Sequence, residues 1–150
     1  MKRKKKAVRT ARSKVKDFDS MIVGQVMETE VQSVRMSTKG DVIASLMIEG
    51  FGSVPVVENA RKLAGIVSEH DLLAAVDDGH ELSTVLAKDI MTANPYSVRA
   101  ETTLGTLVHV LRASDLVRVP VVDGKDKLVG IIARRDVLRS YLATGGKRSR

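Results

Sequence analysis

The chain carries the same message twice. Shifted against itself by 64 or 65 positions, "QVMETEVQSVRMST" (25–38) lies over "DIMTANPYSVRAET" (89–102), and "SVPVVENARKLAGIVSEHDLL" (53–73) lies over "RVPVVDGKDKLVGIIARRDVL" (118–138). One inserted residue between the two blocks accounts for the change of offset. A repeat of this kind constrains the fold more than any single motif, because each copy must adopt the same supersecondary unit and bury what that unit leaves uncovered. Two copies are too few for a solenoid. They must pair, and the simplest pairing is about a pseudo-twofold axis.

Each copy parses in the same order. A short apolar turn (Val26–Met27; Ile90–Met91) leads into a brief strand around Val34 or Val98. An amphipathic helix follows, with Val42, Ile43, Leu46 and Met47 on one face in the first copy and Leu104, Leu107, Val108 and Leu111 in the second. Then "VPVV", a turn rich in Asn, Gly, Asp and Lys, and "LAGIV" or "LVGII" make a hairpin buried on both faces. A last helix starts at 68–71 or 133–136. The fold class expected is α/β, as two β-α-β-β-α repeats. The organisation expected is a basic tail (1–19), repeat one (20–79), a linker (80–88), repeat two (89–143) and a basic C-terminal tail (144–150).

Charge is divided as sharply as the repeats. Of the 25 Lys and Arg, nine lie in residues 1–16, which contain no acid, and three lie in the closing "KRSR". Between them 13 basic residues face 18 acidic ones, so the net charge of +7 belongs to the tails and the globule is mildly acidic. A segment of such charge density with few large apolar groups is expected to be disordered when alone. It reads first as a solubilising or adventitious extension, more sharply as an arm over residues 2–16 that binds nucleic acid or an anionic membrane, and third as a targeting peptide. There is no cysteine, which excludes disulfides and thiolate metal sites and is compatible with a cytoplasmic location. No apolar run approaches the roughly 18 residues needed to cross a membrane.

Both copies close on a glycine, two apolar residues and an acid. "GIVSEHD" contains a capping-box spacing, Ser68 to Asp71. "GIIARRD" keeps the acid, Asp136, although Ala133 has replaced the capping serine. Capping alone leaves Asp136 only the helix-dipole contribution, about 0.3–1 kcal/mol. The persistence of the acid therefore favours a task of its own.

The doubled frame "PVV…Gly-h-h-x-x-x-Asp" (h, apolar), carried by Pro55, Gly65 and Asp71 and again by Pro120, Gly130 and Asp136, resembles a tandem pair of CBS domains, the Bateman module. The resemblance spans roughly residues 20–143. It implies clefts for an adenosine-type ligand (AMP, ADP, ATP, S-adenosylmethionine or NAD), a regulatory and non-catalytic role, an effector protein that is not identified, and a homodimer. Read residue by residue, it implies that Asp71 and Asp136 hold a ribose, with Ser68 supplementing the first. A carboxylate is acceptor-only, so one Asp can receive both hydroxyls of a vicinal diol. His70, Arg134 and Arg135, beside the same helix starts, become phosphate candidates. Arg35 and Arg99 join them, although each alone reads as an exposed charge at a strand end. Ser33 with Val34, and Ser97 with Val98, sit where family members hold the adenine. Gly65 and Gly130 sit where a side chain would crowd an approaching ligand. Tyr96 reads as a surface tyrosine whose ring is able to stack on a base.

Catalysis finds no support in the sequence. The three histidines show no HxxxH or HExxH spacing, no serine lies in a GxSxG elbow, and "TGGKRS" lacks the Walker spacing.

Overall fold

The computed structural model describes residues 17–146. The proposed nucleic-acid arm, residues 2–16, lies outside them. Sheet one has the order β1 (Val34–Arg35), β2 (Ser53–Val57), β3 (Leu63–Ser68), β4 (Thr92–Ala93); sheet two has β5 (Val98–Arg99), β6 (Arg118–Val122), β7 (Leu128–Ala133). The helices are α1 (Gly40–Ile48), α2 (Glu69–Asp77), α3 (Ala87–Ile90), α4 (Leu104–Ala113) and α5 (Arg134–Ala143). Each copy thus contains the expected β-α-β-β-α order. In each, the first two strands are parallel because a helix crosses between them, and the next two form an antiparallel hairpin.

The hairpins match bond for bond. Val56 pairs with Gly65 and Val121 with Gly130, and the register slips by one residue at Val57 and at Val122. Pro55 and Pro120 pair with Ile66 and Ile131 across the hairpins, and β1 and β5 reach only to Val56 and Val121, so neither proline faces a partner on the first strand. Val54, Val56 and Val67 in one half and Val119, Val121 and Ile132 in the other are fully buried. Of the apolar face expected on α1, Ile43 and Met47 are buried but Val42 is 51% exposed. At 3.6 residues per turn Val42 lies just outside the arc the sheet covers.

The segments that open the two copies are exchanged. Residues 21–28 pack on the second half: Val23 N–H donates to Thr102 O (2.8 Å), Leu104 N–H to Met21 O (2.8 Å), and Glu28 pairs with Ile131 on β7. Residues 85–93 pack on the first half in the same way, with Ala87 N–H donating to Thr38 O (2.8 Å), Gly40 N–H to Val85 O (2.9 Å), and Thr92 pairing with Ile66 on β3. These paired bridges are the pseudo-twofold written in hydrogen bonds. The expected linker therefore belongs to the first core, where Val85 and Ala87 are buried. Phe18, assigned from sequence to the tail, is buried in the second core and meets Tyr141 edge-on at 5.6 Å. Sequence periodicity identifies copies, but it does not say which half an opening segment packs against.

The two hairpin turns differ. In the second, Asp123 Oδ1 accepts from Lys125 N–H (2.8 Å) and Lys127 N–H (3.0 Å), and these bonds hold its carboxyl below the usual carboxylate range. In the first, Ala60 and Arg61 both sit in the left-handed region at φ 60°. That region costs an L-residue roughly 1–2 kcal/mol. Ala60→Gly is expected to raise stability by about 0.5–1 kcal/mol after the entropic cost of glycine, measured by urea unfolding. Among the described residues no helix is long and apolar enough to cross a membrane.

Candidate functional site

Two clefts open where the halves meet, and the pseudo-twofold exchanges them. The larger, about 480 Å³, is walled by Ile66 and Ser68 at the end of β3, by His70 and Asp71 at the start of α2, and by Thr92, Pro95 and Tyr96. Its far wall is Asp115 to Arg118, from the other half. The smaller, about 270 Å³, has Ile131, Ala133, Arg135 and Asp136 facing Glu28, Val31 and Gln32, with Gly50, Phe51 and Ser53 opposite. Small-molecule sites typically run from about 300 to 1,000 Å³, so only the larger cleft lies within that range. The difference has a cause in the sequence. Arg139 reaches into the smaller cleft where Ala74 stands at the matching turn of α2. Phe51 stands in the place of Leu116.

The two acids are both positioned by helix starts. Asp71 Oδ2 accepts from the backbone N–H of Ser68 (2.8 Å) and from its hydroxyl (3.0 Å), while Ser68 Oγ accepts from Asp71 N–H (3.3 Å). Among the described residues nothing donates to Asp71 Oδ1, so that oxygen remains available at the cleft. Asp136 Oδ2 accepts from Ala133 N–H (2.9 Å), which answers the puzzle the sequence posed. The reciprocal half of a capping box runs from the acid to a backbone N–H and does not need the serine. Capping alone is therefore enough to keep an acid at position 136. Asp136 Oδ1 is occupied by Arg139 at 3.1 Å, with the carboxylate only 17% exposed. One carboxylate is open and the other is paired.

The remaining candidates divide. His70 lines the larger cleft and Arg135 the smaller. Arg134 does not face either; its guanidinium donates to Leu116 O (2.6 Å) and Ser114 O (3.3 Å), tying the start of α5 to the loop before β6. Arg35 and Arg99 also lie away from both clefts, and Arg99 stands 4.0 Å from Glu101. Val34 and Val98 are core residues, buried to 6% and 5%, and neither they nor Ser33 line either of these two clefts; Ser97 lines a separate pocket of about 380 Å³ beside Ala64, Pro95 and Val122. Gly65 and Gly130 do not line either cleft. A Cβ on Gly65 would strike Met91 Sδ and come within 2.8 Å of Thr92 O; one on Gly130 would lie 2.6 Å from Met27 Sδ. The exchanged segments are by themselves enough to require these glycines.

Three residues escaped the sequence reading or were undervalued in it. Tyr96, 44% exposed, forms part of the larger cleft. Asp115 adds a third acid to that cleft, after Glu69 and Asp71. Arg118 lines both clefts. Its signal was present in the repeat alignment, where a charged residue stands at the head of a buried strand opposite Ser53.

Two β-α-β-β-α units paired about a pseudo-twofold, with clefts between them, define a class, and the comparisons name it. The CBS domain model matches residues 23–78 and 87–143, so the chain belongs to the CBS domain family, as a tandem pair. An uncharacterized protein of Methanocaldococcus jannaschii is 35% identical over 126 residues, covering 82% of this chain and 45% of the relative. The inosine-5'-monophosphate dehydrogenase of that organism is 30% identical, covering 83% of this chain and 23% of the enzyme. The chain therefore spans less than half the length of these two relatives. A solved structure of CBSX2 in complex with AMP superposes with a TM-score of 0.75 at 33% identity, covering 83% of this chain and 98% of that one.

Proposed function

We propose that this chain is a non-catalytic sensor that reversibly binds an AMP-type ligand in the larger cleft. The single observation that carries the reading is the open Oδ1 of Asp71, held by its cap at the edge of a cleft large enough for a nucleoside. A ribose diol supplies the donors that such a carboxylate lacks. Tyr96 offers a ring for the base, and the AMP complex of CBSX2 supports the class of ligand. Glu69, Asp71 and Asp115 set three acids against one arginine in this cleft, which disfavours a triphosphate relative to a monophosphate. The smaller cleft is the weaker nucleoside site, because Arg139 already occupies Asp136.

Signalling follows from the walls. Ligand contacts come from both halves, so binding favours whichever relative packing closes the cleft, and an effector protein that distinguishes the packings reads the result. Two copies pair through the apolar surface of α2 and α5, where Leu73 is 66%, Leu138 64% and Leu142 76% exposed. Leu138→Glu with Leu142→Glu is expected to halve the mass measured by light scattering.

Thermal unfolding with AMP, ADP, ATP, S-adenosylmethionine and NAD, added separately, tests the ligand. A ligand at about 100 times its Kd adds about 2.7 kcal/mol. For a protein of this size that raises Tm by roughly 5–10 °C. AMP should give the largest shift and ATP a smaller one. No shift from any of the five overturns the sensor reading.

A further inference from the structure

Arg118 is the one residue with permanent positive charge that both clefts share. It begins β6, opposite Ala133 on β7, and this position carries its side chain to the ridge between the two mouths. Among the described residues its guanidinium has no hydrogen-bond or ion-pair partner. Its counterpart across the pseudo-twofold is Ser53, which also lines both clefts but brings no charge. Perfect symmetry would place two cations on this ridge, one for each cleft. The sequence places one.

The clefts need that cation unequally. In the larger cleft Arg118 is the only Lys or Arg among the lining residues, and it faces three acids. The smaller cleft adds Arg135 and Arg139, and Arg139 is engaged by Asp136. A guanidinium recognises phosphate as a planar fork, with two parallel N–H donors aimed at one group. It therefore turns toward one phosphate at a time.

Resting on the nucleotide reading above, we propose that Arg118 is a shared phosphate anchor that sets the two clefts in competition: a nucleotide whose phosphate captures Arg118 in one cleft withdraws it from the other. The coupling is negative and specific to the phosphate. By linkage it is reciprocal, so either cleft weakens the other by the same factor. A charge-assisted hydrogen bond gained or lost corresponds to about tenfold or more in affinity.

The test uses the full chain, 15N-labelled, titrated separately with adenosine and with AMP. The amide of Ser68 reports the larger cleft and that of Ala133 the smaller. In the wild type, the ratio of the two site affinities should be about tenfold wider for AMP than for adenosine. In Arg118→Gln that tenfold widening should be lost, and AMP should lose its advantage over adenosine in the larger cleft and part of it in the smaller, where Arg135 remains. Arg118→Lys, which keeps the charge but not the fork, should recover only part of it. If Arg118→Gln weakens AMP at one cleft alone, or leaves the ratio unchanged, the shared anchor is wrong while the nucleotide reading stands. If neither adenosine nor AMP moves either amide, the nucleotide reading fails and the anchor falls with it.

Discussion

Asp71→Ala is expected to weaken adenosine and AMP binding in the larger cleft by about 100-fold or more, whereas Asp136→Ala changes binding there by less than about threefold. The size follows from two hydroxyl donors meeting an ionised acceptor, each worth about 1.5–3 kcal/mol when one partner is charged. The contrast follows from geometry. Asp71 offers an oxygen that no described residue uses, and Asp136 has given its counterpart to Arg139. Removing Asp71 also removes its bond to Ser68 N–H, so part of any loss can come from a loosened helix start. Asp71→Asn separates the two effects, because its amide oxygen still accepts from Ser68 while its NH2 cannot accept a hydroxyl. Titration calorimetry on the three variants checks the point. Equal losses for Asp71→Ala and Asp136→Ala would falsify the assignment of the ribose to the larger cleft.

The second large effect concerns stability. Gly65→Val is expected to destabilise the protein by about 1–3 kcal/mol, the usual cost of overpacking a close contact. At about 2–4 °C per kcal/mol that lowers Tm by roughly 2–12 °C. The side chain would be driven into Met91 Sδ and Thr92 O, and thus into the segment exchanged from the opening of the second copy. Gly130→Val should behave alike, because Met27 and Glu28 stand over it in the same way. Met91→Ala in the Gly65→Ala background is expected to restore part of the loss and not all of it: the thioether can be removed, but the Thr92 carbonyl cannot. A wild-type Tm for Gly65→Val would show that the exchanged segment is not seated as described. A loss of ligand binding with no loss of stability would return these glycines to the ligand.

Much of the fold was legible because the repeat was. Periodicity located the hairpins Ser53–Ser68 and Arg118–Ala133, and the apolar spacing of Leu104, Leu107 and Leu111 located a buried helix face. The frames ending at Asp71 and Asp136 located the helix starts from which both clefts are built. These features are local, and local spacing is what a sequence displays directly. The same reasoning failed where a residue's role depends on what lies across the interface. Gly65 looks alike whether a ligand or Met91 approaches it. Arg134 and Arg135 are neighbours, yet one is tied to the carbonyls of Leu116 and Ser114 while the other faces the smaller cleft. Helical geometry turns adjacent side chains about 100° apart, so a basic pair at a helix start cannot serve one site together.

By itself, then, the sequence determined the two units, their internal order and the two acids, because these rest on contacts within a few residues and on apolar spacing. Only the tertiary structure decided the rest. It decided which half each opening segment completes, that Arg139 pairs with one carboxylate while the other stays open, and that Arg118 is the one permanent cation lining both clefts among the described residues. Those outcomes depend on how the two units are placed against each other, and that placement is set by the sum of many weak contacts, with no local spacing to announce it.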